Sequence, residues 1–509
     1  MEFPLSLDTH LPTLQREQPE SEWIHTESVT GRYGITASVK NFDEVVDWQE
    51  HRRELTQGYY RLIHPPQVQM FQCRLQAKYS GFSAVLFTSG ALAEKELKDL
   101  LEVLGKGMQV ERHSGLPEAV AGEVAHVVDV GIAGVVLLED GDLAEKLHER
   151  NRRRGGSLSA RNVDMLLGSA PPEIPGQEVE PNCAAILLNM EKAEFINFYP
   201  SGMGAVTAAL DVLLTPERPH FVVLGNVYRD THLLLEEQRW AGRQVQCDFL
   251  DTDDLTGLED RLQDPRVAGV LIETITNPLI EIPDLPAIAS LCRKADRPLL
   301  VDSTMAAPLN ACPLELGATM VIHSTSKYLS GSNTHGGGIV LTCDADWAQT
   351  LTHYQEHYDF RLSLFEFPAL LAGLQSYPQR ILRFNKNGEA LARMLREHPA
   401  VETVYFANQG RPEWLKGLAS VVSCELKAPC LEKVALFFNA ELPGVLKAPS
   451  LGSDQSLFCP YVLLAYYDKS DEYLRECNLS KTLLRFAAGS EEDFSGVLEG
   501  IHQALDSLL

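Results

Sequence analysis

No stretch of the sequence offers the roughly 18 uninterrupted apolar residues that a membrane-spanning helix requires. The most apolar run, GIAGVVLL at 131–138, is bounded by Asp129 and Glu139. Cysteine lacks organisation too: the ten cysteines are scattered, with no C-x-x-C pair and no Cys/His cluster at zinc spacing, so no metal site and no disulfide framework are expected. A reduced, cytoplasmic setting is the simplest expectation. The N-terminal MEFPLSLDTHLPTLQREQPESEW has neither the basic start nor the apolar centre of a secretory leader. Positive charge is scarce. Lys plus Arg number 44 against 70 Asp plus Glu, a formal charge of −26, which opposes the counterion-release binding used on nucleic acids and on anionic membranes. The densest basic run, Arg150, Arg152, Arg153 and Arg154, follows Glu145 and Glu149 in a helical stretch and reads as a solvated helix end that complements the dipole. Internal repeats and low-complexity tracts are also missing.

What is present is ordinary globular composition, 45% hydrophobic and 22% charged. At roughly 100–200 residues per domain, two or three units are expected. Residues 1–65 are polar and weakly periodic, and read as an arm that packs on something else. From 66 to 168, strand-like runs (SAVLFT, HVVDV, GVVLLE) alternate with helix-like ones (ALAEKELKDLLEVL, DLAEKLHERNRR), marking an additional α/β region. SAPPEIPGQEVEPN at 169–182 reads as a linker. Over 183–374 the runs FVVLGN, VAGVLIE, PLLVDST and ATMVIHSTS are apolar throughout and separated by helical patterns such as DLPAIASLCRKA, which predicts a mostly parallel sheet covered on both faces. Residues 375–509, with the helix RFNKNGEALARMLREH and the strands SVVSCEL and LLRFAAG, form a smaller C-terminal α/β unit.

In sheets of this kind ligands sit beyond the carboxyl ends of the strands, so the polar residues closing each run carry the chemistry. They are Tyr228, Glu273 to Asn277, Asp302 to Thr304, and His323 to Lys327. A lysine closing a buried strand is a candidate for Schiff-base chemistry, because burial costs its charged form. A pyridoxal phosphate site needs such a lysine, a carboxylate for the pyridinium nitrogen and donors for the phosphate. Ser201, Gly202 and Met203 open an apolar helical run whose free N–H groups and dipole favour a phosphate. Ser324 and Ser326, two apart on one strand, add hydroxyls from one face.

These residues resemble a family, the Cys/Met-metabolism pyridoxal-phosphate enzymes, which include cystathionine γ-synthase, the γ-lyases and the homoserine-ester sulfhydrylases. The resemblance rests on SGM at 201, VYRDT at 227, ETITNP at 273, VDST at 301 and HSTSKYLSG at 323. It resumes with APSLGSDQSL at 448, CPYVLLAYY at 459 and LLRFAAGSEE at 483. It implies the aspartate-aminotransferase-like fold (fold type I), with a large cofactor-binding domain and a smaller C-terminal one. It implies that Lys327 joins the cofactor aldehyde and then shuttles protons between the α, β and γ positions, that Asp302 keeps the ring nitrogen protonated, that Tyr228 stacks on the ring and that Asn277 bonds the ring hydroxyl. Gly202, Met203, Ser324 and Ser326 would hold the phosphate, and Ser450 and Arg485 the substrate carboxylate. Tyr59 and Arg61 are similar to the Tyr-x-Arg lent to a neighbouring subunit's phosphate, which implies at least a dimer, as a homodimer or homotetramer.

The sequence also departs from the family's pattern. About 140 residues separate the Tyr-x-Arg from the SGM, as in the longer, fungal cystathionine γ-synthase-like forms. FTSG at 87–90 is a second candidate phosphate loop, less well spaced than Ser201. Ser303, Gly331-Ser332-Asn333 and Cys459 stand where compact members commonly have other residues, which bears on substrate choice. His232, His323 and His335 read as hydrogen-bonders rather than metal ligands. Gly336 to Gly338 reads as a tight turn, and the aromatics of FEFPALL and YFAN as core. The function implied is γ-replacement on an activated homoserine ester with small amino-acid substrates, in the manner of cystathionine γ-synthase. A γ-lyase, a sulfhydrylase or a carbon–carbon bond-forming variant is the alternative within the class, and a retired enzyme kept for protein interaction the alternative outside it.

Overall fold

Val267–Glu273 is buried at every position, which a strand tolerates only when both faces of its sheet are covered. In the computed structural model it lies within a seven-stranded sheet. The order is Gln246–Leu250, His220–Leu224, Val267–Glu273, Leu299–Asp302, Met320–Ser324, Gly338–Thr342, Phe195–Tyr199. Alternate side chains feed two cores. Val223, Leu271, Leu300 and Ile322 face one, shared with helix Gly202–Leu213. Val222, Val270, Val301 and Val321 face the other, shared with helix Leu285–Lys294. Pairing is parallel as far as Met320–Ser324. Gly338–Thr342 then runs antiparallel to both neighbours, so the mostly parallel sheet contains one reversed strand.

The structure describes residues 66–121, 124–167, 175–237, 243–406, 411–466 and 469–509, together with short elements at 23–24, 27–28, 37–38, 42–49, 54–55 and 239–240. Tyr59 and Arg61 lie outside the described residues, as does most of the expected 1–65 arm. Helix Val179–Glu191 begins inside the segment read as a linker. Among the described residues no helix is long and apolar enough to cross a membrane.

Residues 66–167 form a four-stranded sheet ordered Ser83–Phe87, Gly134–Leu138, Ala125–Asp129, Val110–Ser114. One face packs on helices Pro66–Lys78 and Ala160–Leu167 through Val68, Phe71, Val163 and Leu166. The other face packs on helices Gly90–Leu104 and Gly141–Arg154, and its core is continuous with one core of the seven-stranded sheet. These two helices therefore sit between two sheets.

That position corrects the reading of the arginine run as a solvated helix end. Arg150 and Arg154, one turn apart, are buried. Arg150 Nε donates to Glu96 at 2.7 Å and its Nη1 to Glu237 at 3.0 Å. Arg154 lies 3.4 Å from Glu96 and 3.8 Å from Asp211. Lys95 completes the cluster at 3.0 Å from Glu96. Burial alone would raise the Glu96 carboxyl, but Lys95, Arg154 and Arg150 hold it well below the carboxylate range. Removing one partner from such a buried set costs roughly 3–5 kcal/mol, so the cluster fixes the N-terminal sheet to the central one. Charge pattern alone cannot distinguish a helix end in water from one docked against another layer.

The C-terminal part opens with helix Phe367–Glu397, which starts well before its periodic stretch and passes through residue 375 unbroken. It packs on a five-stranded sheet ordered Val401–Tyr405, Val421–Leu426, Leu484–Ala487, Ser456–Pro460, Val445–Lys447. Phe486 stacks on Phe458 with centroids 4.7 Å apart, which turns the adjacent Arg485 to the opposite face. Phe365, Phe367 and Phe406 are buried, as core aromatics should be.

Candidate active site

The carboxyl ends of the central strands open on one cavity, the place where ligands sit in sheets of this kind. Gly202, Met203, Tyr228, Asn277, Asp302, Ser324, Lys327, Ser450 and Arg485 all line it. The sequence reading placed Tyr228, Asn277, Asp302, Ser324 and Lys327 at strand ends, Gly202 and Met203 at a helix start, and Ser450 and Arg485 by resemblance, and the fold brings them all to the wall of a single space. Ser201 and Ser326 stand just behind the lining. Ser201 Oγ accepts from Gly204 N at 3.0 Å, capping helix Gly202–Leu213, and donates to Gly155 O at 3.0 Å. Ser326 Oγ meets Ser324 Oγ at 2.8 Å. The strand ends at Ser324, so a turn, rather than strand alternation, joins these hydroxyls and carries Lys327 inward.

Lys327 is buried and its Nζ donates to Ser450 Oγ at 2.9 Å. Ser450 Oγ in turn donates to Asn333 Oδ1 at 3.3 Å. Arg485 donates through Nη2 to Ser450 O at 2.8 Å and through Nη1 to Asn277 Oδ1 at 3.1 Å. An amine and a planar guanidinium fork are thus tied to the same serine. Asn277 Nδ2 donates to Tyr461 Oη at 2.9 Å, and the Arg485 guanidinium lies 4.2 Å from the Tyr461 ring centroid.

Glu273 and Asp302, also in the lining, are register partners on adjacent parallel strands. Burial pushes the Asp302 carboxyl above the aspartate range, against a 2.9 Å bond from Thr304 N and the nearby His323. Burial, reinforced by the Asp302 charge, pushes Glu273 well above the glutamate range. Glu273 Oε1 accepts from Tyr228 N at 2.6 Å, while its Oε2 is buried with no hydrogen-bond partner. Gly202 lies so close to Ser324 that a Cβ there would stand 2.8 Å from the serine Cβ, so only glycine lets the helix start approach this hydroxyl.

Among the lining residues to which the sequence reading gave no role are Tyr461, Glu273 and Arg152. Tyr461 lay inside a quoted motif, and its position just after Cys459-Pro460 was the available signal. Glu273 was noted as a strand end without a role. Arg152 was assigned to solvent, although it sits in the cavity wall and pairs with Asp230 at 3.2 Å. Ser89 of FTSG caps its own helix and donates to Tyr358 O at 2.7 Å. His323 bonds Glu191 and His335 bonds Thr325, both at 2.8 Å, and His232 meets Glu236 at 3.2 Å. Elsewhere, strand pairing gathers Glu111, His113 and His126, whose ligand atoms lie within 4.8 Å of one another. Their separation along the chain had concealed this grouping.

The sequence profile of the Cys/Met metabolism PLP-dependent enzymes matches residues 181–506. This chain belongs to that family. Cystathionine gamma-lyase of Bacillus subtilis is 30% identical over 334 residues, 64% of this chain and 85% of that protein. Cystathionine gamma-synthase of Haemophilus influenzae is 27% identical over 58% of this chain and 76% of its own length. The crystal structure of cystathionine gamma synthase from Xanthomonas oryzae pv. oryzae in complex with cystathionine has a TM-score of 0.60 and 27% identity, covering 64% of this chain and 85% of that one. The fold is the α/β, fold-type-I architecture of these enzymes, and the cofactor is pyridoxal phosphate. The cavity fits it: a buried amine, a buried carboxyl raised by desolvation that a pyridinium N–H would satisfy, and a glycine-started helix facing two hydroxyls.

The raised Glu273 carboxyl gives a pH prediction for the cofactor-free protein. A carboxyl whose folded pKa is raised stabilises the fold below its unfolded pKa and progressively less as pH rises, because folding then holds a proton the unfolded chain has lost. Glu273→Gln is therefore expected to raise the melting temperature by a few degrees at about pH 8, with the gain shrinking toward about pH 4.5. Calorimetric scans across that range check it. A gain independent of pH would show that ionisation is not the cause.

Proposed function

We propose that this family member replaces the γ-substituent of an activated homoserine ester with a thiol, in the manner of a cystathionine γ-synthase. One observation carries the reading: the Lys327 amine and the Arg485 guanidinium converge on Ser450 at the rim of one cavity. When bound, the cofactor supplies an electron sink for charge developing at the substrate α-carbon. Arg485 holds the substrate carboxylate through its two parallel N–H donors, as Asn277 and the Ser450 carbonyl hold the fork in place. Lys327 Nζ, steered by Ser450 Oγ, would take the α-proton and pass protons between the α, β and γ carbons. Asp302 would hold a proton on the ring nitrogen, Tyr228 and Asn277 would hold the ring, and Gly202, Met203, Ser324 and Ser326 would hold the phosphate. Tyr59 and Arg61 support a homodimer or homotetramer on resemblance alone, and the ten unbridged cysteines support a cytoplasmic setting.

The test is an assay of purified protein with O-succinyl- and O-acetylhomoserine, each offered cysteine, sulfide or no acceptor. Cystathionine formed only with cysteine is the expected result. Turnover without an acceptor would make the protein a γ-lyase, sulfide-selective turnover a sulfhydrylase, and product only with a stabilised carbanion a carbon–carbon bond-forming enzyme. No turnover in any combination would favour a retained interaction role.

A further inference from the structure

We infer that Arg152, carried by the N-terminal α/β region, is a cofactor-binding residue that holds the phosphate of pyridoxal phosphate, so that this region forms part of the cofactor site. Arg152 lies outside the 181–506 family match, yet it lines the same cavity as Gly202, Met203 and Tyr228. The inference rests on the family's cofactor, and it stands whichever γ-reaction the enzyme runs.

The packing that aims Arg152 is tight. Helix Gly141–Arg154 ends at Gly155, whose φ is +73° and where a Cβ would stand 2.2 Å from both Gly204 N and Ser201 Oγ. Ser201 Oγ donates to the Gly155 carbonyl. The end of this helix is therefore locked onto the start of helix Gly202–Leu213, where free N–H groups favour an anion. Helical spacing sorts the arginine run. Arg150 and Arg154 face the buried Glu96 and the partly buried Glu237, and Arg152, two residues from each, projects from another face into the cavity.

Ser201 already satisfies Gly204 N, and a phosphate dianion calls for a cation beside the remaining donors. Of the wall's other cations, Lys327 and Arg485 converge on Ser450, and the buried Arg229 lies 3.9 Å from Asp230, the carboxylate that Arg152 also bonds. Arg152 bonds Asp230 through Nη1 alone, at 3.2 and 3.4 Å, so Nε and Nη2 of the planar fork are further donors for phosphate oxygens. Asp230 also accepts from Tyr228 Oη at 3.3 Å, which makes it a positioning residue for both the guanidinium and the ring.

The test compares two ligands that differ only in the phosphate. Full-length protein stripped of cofactor is titrated with pyridoxal phosphate and with pyridoxal, following absorbance. Arg152→Gln, which keeps a donor toward Asp230 without the charge, is expected to weaken pyridoxal phosphate at least tenfold and pyridoxal hardly at all. Inorganic phosphate should compete less well in the variant, Arg152→Lys should recover part of the loss, and Arg153→Ala, on the more exposed side of the helix, should match wild type. Equal weakening of both ligands, or of neither, overturns the assignment. So does a wild-type protein that takes up pyridoxal phosphate no better than pyridoxal, because no phosphate site would then exist.

Discussion

Lys327→Ala is expected to abolish the visible absorbance of the purified protein and to lower turnover by roughly 10²–10⁴-fold, the range typical of losing a positioned acid–base group. The amine has two tasks that no neighbour can assume. Its side chain is buried in the cavity wall, and its Nζ donates to Ser450 Oγ at 2.9 Å. A serine hydroxyl and a guanidinium are both poor bases, so neither Ser450 nor Arg485 replaces the lysine. A readout independent of turnover is borohydride reduction followed by mass spectrometry. Wild type should carry the cofactor's mass on the peptide containing Lys327, and the variant on none. An Ala variant that remains coloured, or that carries the label on another lysine, would move the site elsewhere.

Much of this cavity was legible because parallel sheets deliver their chemistry at strand ends. Apolar runs such as VAGVLIE and PLLVDST announce burial on both faces, and the first polar residue after each run falls at the carboxyl edge. Glu273 and Asp302 were located in that way, and register then made them neighbours. Lys327 was found beside a strand end, although a turn after Ser324 carries it into the cavity. Strand direction was not legible. Gly338–Thr342 is as apolar as its neighbours, yet it returns antiparallel.

What the sequence hid arises from contacts between distant segments. Tyr461 acquires its place only when the C-terminal sheet sets Cys459 opposite Arg485, which leaves the ring under the guanidinium. The arginine run looked solvated because its acidic partners lie tens of residues away, Glu96 and Asp211 on other helices and Glu237 just past the end of another. Periodicity reports which face of a helix is apolar. It carries no information about a charged face that another layer will neutralise.

Asp302→Asn is expected to lower kcat by roughly 10²–10³-fold, the loss typical of removing one preorganised electrostatic partner, while leaving the fold intact. Asparagine can still accept the Thr304 N bond that orients this side chain at 2.9 Å. It lacks the charge that keeps a proton on the ring nitrogen, and a neutral ring withdraws electrons poorly. The pH dependence separates charge from shape. Burial raises the Asp302 carboxyl in the cofactor-free protein, so as pH falls through that raised value the residue becomes a neutral acid and loses its attraction for a cationic ring. Wild-type cofactor affinity should therefore decline on acidification, and the Asn variant should decline less. A cofactor analogue methylated on the ring nitrogen, which is permanently cationic, should restore part of the lost rate in Asp302→Asn. If it restores none, the carboxylate acts by holding geometry rather than by holding a proton.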